Sequence, residues 1–239
     1  MEVINDLLEY NNMKIIQDNE TFNFSLDSVL LPNFVTINKN INNILDIGCG
    51  NAPIPLIIST KTDAKIIGVE IQSKIADMAM RSVEINNKQN QIKIINQDIN
   101  DFYKYENTGK YDIITCNPPF FKNERKSHKN NSEYKTIARH EVKLNLEQIK
   151  KKKKKLLKNN GVIALVHRPE RLVEILELMK QYNIEPKKLQ FVYPKTNKEA
   201  KMILIEGRKN GKSGLKILPP IYVHTDNNDY TEQVKLMFK

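Results

Sequence analysis

The chain has 239 residues, of which 40% are hydrophobic, and this length suits one α/β domain with additions. Its two cysteines, Cys49 and Cys116, form no CxxC pair, which argues against a disulfide framework or a zinc site and fits a reducing cytoplasm. No run approaches the roughly 20 apolar residues of a membrane span, and the acidic, polar residues 1–12 predict no signal peptide. The net charge of +10 has two explanations, a lysine-rich composition or a polyanionic partner.

Residues 1–40 are predicted to form an N-terminal extension that packs on a domain of residues 41–239. In this extension, MKIIQ and TFNF predict two short strands around a turn at residues 18–20. A helix is expected to follow, capped by Ser25 or Asp27, although Pro32 would sit awkwardly inside it. The extension is therefore expected to be a hairpin plus a helix.

Hydrophobic segments and helical segments alternate from residue 41 onwards. Strands are predicted at NILDIG, AKIIGVE, IKIIN, KYDIITC and GVIALVH, with helices between them near residues 52–60, 72–86, 99–105 and 141–158. A helix at 171–182 precedes two last strands, LQFVYP and AKMILIEGR, which lack room for a helix between them and should pair as a hairpin. This order predicts an α/β fold of about seven strands, mostly parallel and covered by helices on both faces.

The turn after the first of these strands reads DIGCGNAP, residues 46–53. Glycines after a strand let the backbone approach a ligand closely. A dinucleotide fold has a third glycine where this chain has Pro53, so the turn predicts a nucleoside ligand without a pyrophosphate. Glu70 ends the second strand, 20 residues after Gly50, where a carboxylate can accept hydrogen bonds from both hydroxyls of a ribose.

An acidic residue also follows the third strand. Asp98 could accept a hydrogen bond from an adenine amino group, with Ile71 and Ile99 on the two faces of the ring. Taken by itself, Asp98 is better explained as a helix cap than as a ligand-binding residue. Because all these residues follow parallel strands, they should meet at the carboxyl edge of the sheet, where open α/β sheets bind ligands.

The fourth strand ends in the segment NPPFF, residues 117–121. Together with DIGCG, GVE and QDI, it resembles the S-adenosyl-L-methionine-dependent methyltransferases that act on exocyclic or amide nitrogens, whose signature is [N/D]-PP-[Y/F]. The resemblance implies a seven-stranded Rossmann-like fold and S-adenosyl-L-methionine as the cofactor. The cofactor-binding residues would be Asp46, Gly48, Cys49, Gly50, Glu70, Ile71, Asp98, Ile99 and Asn117.

The NPPF motif explains how a weakly nucleophilic amino group could be positioned. The side-chain oxygen of Asn117 would accept one N–H of the target, and the carbonyl of Pro118 would accept the other. Pro118 and Pro119 fix φ, so this carbonyl has few alternative directions. Phe120 would stack on a base that has been pulled out of its strand. A proline turn closed by buried phenylalanines is the alternative interpretation.

Over nearly its whole length the chain resembles the small bacterial tRNA adenine-N6 methyltransferases that modify valine tRNA beside the anticodon. The similarity runs from FNFSLDSVLL through DIGCGNAPIPL and CNPPFF to ALVHRPERL and KMILIEGRKNG. It implies that Phe24, Ser25 and Asp27 border the site, although Asp27 is equally explained as a helix cap. The expected partner is RNA, with tRNA as the substrate, and we expect a monomer with no membrane association.

Three other functions remain open at this point. A glutamine methyltransferase acting on a release factor would present an amide nitrogen to Asn117 in the same way. An RNA-binding protein could keep the fold without turnover. A nicotinamide oxidoreductase is disfavoured by Pro53. A DNA methyltransferase with a large target-recognition domain would not fit into this length.

Basic residues supply candidate RNA contacts. The group nearest the NPPF motif adjoins the proposed target pocket, and a second group follows the last strand. The lysines of residues 150–155 either contact RNA or form a solvated helix face. The histidines show no metal-binding spacing. The charged cluster at residues 139–141 is best explained as the start of a helix. The two groups are Lys122, Arg125, Lys126 and Lys129, and Arg208, Lys209 and Lys212.

Overall fold

The computed structural model describes residues 1–10, 12–18, 24–118 and 156–239. The expectations for Pro119, Phe120, the basic group after the NPPF motif and the lysines of 150–155 lie outside these described residues. The same holds for the cluster at 139–141.

The N-terminal strands form an antiparallel pair, β1 (Glu2–Asp6) with β2 (Lys14–Asp18). The predicted strand at MKIIQ is confirmed, and it pairs with β1. Of its predicted partner TFNF, residues 21–23 lie outside the described residues, and Phe24 lies outside any strand. Strand β1 exposes most of its side chains, so its sequence lacks the apolar alternation that would have revealed it. The division of the chain at residue 40 stays a prediction.

Helix α1 (Leu26–Phe34) begins at the carboxyl edge of the sheet, packs on one face of it and includes Pro32 within its nine residues. Ser25 occupies the N-cap position, as expected, but its hydroxyl donates to the Asp27 carboxylate instead of capping the helix backbone. The end of α1 is held by Glu206, whose carboxylate accepts from the Thr36 backbone N–H at 2.8 Å and from the Thr36 hydroxyl at 3.0 Å. Glu206 also pairs with Lys188 at 3.1 Å, so α1 is tied to the last strands of the sheet.

A sheet of nine described strands forms the core, and the α/β fold is confirmed. Its order is β10-β8-β9-β7-β6-β3-β4-β5, with β11 beside β8, and β9 alone runs antiparallel to its neighbours. The predicted closing hairpin is β8 and β9. The strands are β3 (Asn43–Ile47), β4 (Lys65–Glu70), β5 (Ile92–Asn96), β6 (Tyr111–Cys116), β7 (Leu157–His167), β8 (Ile184–Tyr193), β9 (Met202–Lys209), β10 (Lys216–Ile217) and β11 (Ile221–Tyr222).

The predicted helices follow their strands closely, with one exception. The helix predicted at 141–158 is wrong at its end, because Leu157 already begins β7 and is completely buried. The remainder of that prediction lies outside the described residues up to 155. The described helices are α2 (Pro53–Ile58), α3 (Ser73–Ile85), α4 (Ile99–Tyr105), α5 (Leu172–Gln181) and α6 (Glu232–Lys235), with 3₁₀ turns at Pro169–Arg171 and Leu236–Phe238.

Apolar side chains alternate between the two faces of the sheet. Ile44 and Ile113 belong to the core on one face, whereas Leu45 and Ile114, one residue later on the same strands, belong to the core on the other. This period of two is the geometry of a strand whose faces are both covered. Burial on both faces therefore explains the uninterrupted apolar runs of the sequence.

We expect Glu206→Ala to lower the free energy of unfolding by about 2 kcal/mol, because the variant leaves the partly buried N–H and hydroxyl of Thr36 without their acceptor and removes the ion pair with Lys188. Urea titration monitored by circular dichroism would measure the loss. Glu232→Ala removes an exposed pair with Lys235 and is the control, with no measurable change expected. Equal stabilities of the Glu206 and Glu232 variants would contradict the assignment of Glu206 as the anchor of α1.

Candidate active site

A cleft lies at the carboxyl edge of the sheet, where the strand order changes direction between β3 and β6. Chain connections leave β3 on one side towards β4 and β5, and the sheet continues on the other side with β6 and β7. Ligands of open α/β sheets bind at such a switch point. The cleft has a volume of about 350 Å³ and is lined by residues that follow β3, β4, β6 and β7, and by α1.

The glycine turn after β3 forms one wall of the cleft. Gly48 and Gly50 have φ angles of +67° and +56°, a region that favours glycine. A Cβ at either position would meet no atom within 4 Å, so both face open space. Ala52, which precedes α2, adopts a φ of +73°, also in the region that favours glycine. The turn thus exposes bare backbone to the cleft, as the sequence predicted.

Cys49 lies in the same wall but contributes little surface to it. Its side chain is 3% exposed, and a Cβ added at Gly68 would meet its Sγ at 2.8 Å. Burial raises the pKa of the Cys49 thiol well above its usual value. The thiol therefore remains neutral and packs against β4, while the backbone of Cys49 is the part available to a ligand.

Asp46 lies beneath this turn and is completely buried in β3. Its Oδ1 accepts from the Thr115 hydroxyl of β6 at 2.6 Å, and its Oδ2 has no hydrogen-bond partner in the described part of the chain. Burial raises the pKa of Asp46 to about 7, Thr115 opposes this rise, and the charge of Glu70 adds to it. A carboxylate with an unsatisfied buried oxygen is a ready acceptor for a donor group entering the cleft.

Glu70 ends β4 and lines the cleft with a side chain that is 5% exposed. Its two oxygens accept from the backbone N–H groups of Gly50 at 3.1 Å and Gln72 at 2.9 Å. Burial raises the pKa of Glu70, and these backbone hydrogen bonds partly offset the rise. Each carboxylate oxygen can accept more than one hydrogen bond, so the predicted contact with ribose hydroxyls remains available.

Asn117 and Pro118 form the opposite wall, directly after β6. The amide nitrogen of Asn117 donates to the Ser28 hydroxyl of α1 at 3.2 Å. Its buried Oδ1 has no hydrogen-bond partner among the described residues. The amide is therefore oriented by α1 and keeps an acceptor for a donor in the cleft, and the contact of this oxygen with a target amino group stays a prediction.

Besides Asp46, which lies beneath the turn, three predicted residues, Ile71, Asp98 and Ile99, do not line this cleft. Asp98 caps α4, since its carboxylate accepts from the Asn100 backbone at 2.7 Å and from the Asn100 side chain at 2.9 Å. Ile71 is 44% exposed at the same edge of the sheet. The cap that was an alternative for Asp98 is thus formed, and the proposed adenine contacts of these three residues stay predictions.

The N-terminal segment contributes more to the cleft than the motifs indicated. Phe24, Ser25 and Asp27 line it, as the resemblance implied, and Ser28 joins them. Arg168, directly after β7, is a further lining residue that the sequence analysis did not select. Its position in the sequence could have indicated this, because Arg168 is the first residue after β7, a strand that ends at the carboxyl edge of the sheet.

The second basic group lies away from the cleft. Arg208 and Lys209 end the antiparallel strand β9, and Arg208 pairs with Val162 near the opposite, amino edge of the sheet. Lys209 is 8% exposed, and its ammonium donates to the Leu157 carbonyl. These residues therefore hold the fold together at the far edge and are poor candidates for contact with a target in the cleft.

Within the described ranges, no group of three or more His, Cys, Asp or Glu side chains could hold a metal ion. No helix in the described part of the chain is long and apolar enough to cross a membrane.

We expect an Asp46→Asn variant to remove one component of the pH dependence of stability. The folded-state pKa of about 7 lies above the usual 3.8, so protonation favours the folded chain. This contribution is fully present below about pH 4 and is lost as the pH rises to about 7. Urea unfolding between these limits should show the wild type losing stability relative to the variant. A difference that stays constant with pH would contradict the raised pKa, since Glu70 titrates in both proteins.

Comparisons with known proteins agree with this geometry. A protein from Flavobacterium psychrophilum, named tRNA1(Val) (adenine(37)-N6)-methyltransferase, is 25% identical over 95% of each chain. A protein of the same name from Aliivibrio salmonicida is 29% identical over 84% of this chain and 80% of its own.

The solved structures support the fold. A predicted O-methyltransferase from Agrobacterium tumefaciens superposes with a TM-score of 0.68, at 17% identity, over 89% of this chain and 95% of its own. The M. jannaschii tRNA m1G37 methyltransferase superposes with a TM-score of 0.60, at 15% identity, over 88% of this chain and 55% of its own. The family model of the methyltransferase small domain matches residues 26–183, which is more than half of the chain. The protein therefore belongs to the methyltransferase small domain family.

Proposed function

We propose that this protein transfers a methyl group from S-adenosylmethionine to the N6 amino group of an adenine in tRNA. The observation that carries the proposal is the buried Asn117 Oδ1, which has no partner among the described residues and lines the cleft beside the glycine turn. The names of the relatives from F. psychrophilum and A. salmonicida support the choice of valine tRNA and of the adenine beside its anticodon.

The residues of the cleft fit the cofactor. The bare backbone of Gly48 and Gly50 would accept close approach of its amino-acid and ribose parts, and Glu70 would accept from the ribose hydroxyls. The unsatisfied Asp46 Oδ2 beneath the turn suits a donor group. When bound, S-adenosylmethionine supplies a methyl group on a positively charged sulfur, which is already activated for transfer.

The chain's own residues would then act by positioning the amino group of the target. An adenine amino group is a poor nucleophile because its lone pair is delocalised into the ring. Asn117 Oδ1 would accept one of its N–H groups and the Pro118 carbonyl the other, which holds the nitrogen in the orientation for attack and favours its pyramidal geometry. Ser28 would keep the amide of Asn117 in place from α1. No strong base is required, because the proton can leave after the new bond has formed.

The surroundings of the site suit an RNA partner. The net charge of +10 favours a polyanion and would make binding depend on salt. The basic group at Lys122, Arg125, Lys126 and Lys129 and the proposed stacking residue Phe120 lie outside the described residues, and their contacts with RNA remain proposals. We further propose that the enzyme acts as a monomer in the cytoplasm, where tRNA is modified.

We expect Asn117→Ala to lower kcat by a factor on the order of 100, the loss typical of removing one positioned hydrogen-bonding group of a transition state. Methyl-labelled S-adenosylmethionine would be offered with tRNA, ribosomal RNA or release factor from cells lacking this gene, and the products digested and identified. Wild-type protein should label N6-methyladenosine in tRNA.

Two controls make this result specific. Asn90→Ala alters an exposed asparagine before β5, at the opposite edge of the sheet, and should leave activity unchanged. Binding of S-adenosylhomocysteine, measured by calorimetry, should remain within a few-fold in Asn117→Ala if the fold is intact. Label in methylglutamine of the release factor would overturn the proposed substrate, and full activity of Asn117→Ala would overturn the proposed role of the amide.

A further inference from the structure

Arg168 is a cation in the cleft that the proposed reaction leaves without a role. Among the described residues that line the cleft it is the one basic side chain, and the acidic ones are Asp27 and Glu70. No described carboxylate lies within ion-pair distance of its guanidinium, and its Nε is buried without a hydrogen-bond partner. A buried guanidinium nitrogen in this state calls for an anionic acceptor from outside the described chain.

The neighbouring arginine shows the contrast. Arg171, at the end of the 3₁₀ turn that follows Arg168, also has a buried Nε without a hydrogen bond, but its guanidinium forms an ion pair with the Glu174 carboxylate at 2.6 Å and a hydrogen bond to it at 2.7 Å. Arg171 does not line the cleft. The sequence thus places two arginines close together, one bound within the fold and one directed to the cleft.

The backbone at Arg168 is held firmly. Its N–H donates to Nδ1 of His167 at 2.8 Å, and Pro169 follows with a restricted φ. Burial, followed by the charge of Arg171, lowers the pKa of His167 to about 4, so this ring is neutral at pH 7 and can keep accepting. The base of the Arg168 side chain therefore has a fixed position at the edge of the sheet.

Strand order decides which ligand Arg168 faces. Strand β6 lies between β3 and β7, and Cys116 of β6 pairs with Leu165 of β7. Adjacent strands are about 4.8 Å apart, so Asn117 lies between the glycine turn on one side and Arg168 on the other. The cofactor-binding wall follows β3 and β4, and Arg168 is on the far side of Asn117 from it. Its neighbour in the cleft is therefore the target nucleotide.

We propose that Arg168 binds a backbone phosphate of the target strand and so fixes the nucleotide in front of Asn117. A nucleotide that enters the cleft brings its phosphates with it, and the planar guanidinium matches two phosphate oxygens. Such a contact positions the strand without reading its sequence. The inference rests on the proposed function in one respect, that the substrate is a nucleic acid.

The test compares Arg168→Ala, Arg168→Lys and the control Arg171→Ala. Binding of tRNA would be measured by fluorescence anisotropy in the presence of S-adenosylhomocysteine at several salt concentrations. Arg168→Ala should weaken binding on the order of tenfold at low salt and reduce the slope of log K against log salt by about one. Arg168→Lys keeps a point charge and should give an intermediate affinity. Arg171→Ala should behave as the wild type.

Turnover and cofactor binding complete the experiment. In Arg168→Ala, KM for tRNA should rise on the order of tenfold, while calorimetric binding of S-adenosylhomocysteine stays unchanged. Unchanged tRNA affinity and salt slope would overturn the proposal. Weaker cofactor binding with unaltered tRNA binding would also overturn it, and would assign Arg168 to the carboxylate of the cofactor. A wild type that binds tRNA but methylates only release factor would refute the proposed function separately, since the binding comparison does not depend on turnover.

Discussion

The hydrogen bond between Thr115 and Asp46 joins the two strands on which the cleft is built. It crosses from β6 to β3 at the switch point, with both residues completely buried. Because β3 carries the glycine turn and β6 carries Asn117, this contact reinforces the strand pairing that lies between the two walls of the cleft. The cost of burying the Asp46 carboxyl is visible in its raised pKa of about 7. A group held under such conditions at a switch point fits a functional site better than a structural one.

The charged side chains carried by the strands are separated around the cleft. Glu70 and Asp46 lie on the side of β3 and β4, and Arg168 lies beyond β6 on the side of β7, whereas the acidic lining residue Asp27 comes from α1. Asn117, neutral and with an oxygen available, stands between the two sides. This arrangement suits a pair of ligands of different character, one with hydroxyl and amino donors and the other with an anionic backbone. It also keeps Glu70 and Asp46 away from a phosphate that they would repel.

The parts of the fold that were predictable are those whose signal lies in contiguous residues. Strands β3 to β7 are covered on both faces and give uninterrupted apolar runs, and the DIGCG and NPPF segments lie where chain order alone puts them, at strand ends. Strand β1 was missed because most of its side chains are exposed. Strands β10 and β11 were missed because two residues are too few to show an alternation of apolar and polar side chains. Arg168 and Ser28 were missed for another reason. Their roles arise from the order of strands in space and from the docking of α1, which no local pattern encodes.

The Asn117 amide alone does not distinguish an adenine from a glutamine side chain, since both present an NH₂ group next to a delocalised system. The distinction must come from groups that touch the rest of the substrate. A peptide that carries a glutamine brings no phosphate, and for such a substrate the buried Nε of Arg168 would stay without an acceptor at a cost of about 1–3 kcal/mol. A nucleotide would satisfy it through the phosphate contact proposed for Arg168. That contact, which presumes a nucleic-acid substrate, would then add discrimination against a peptide.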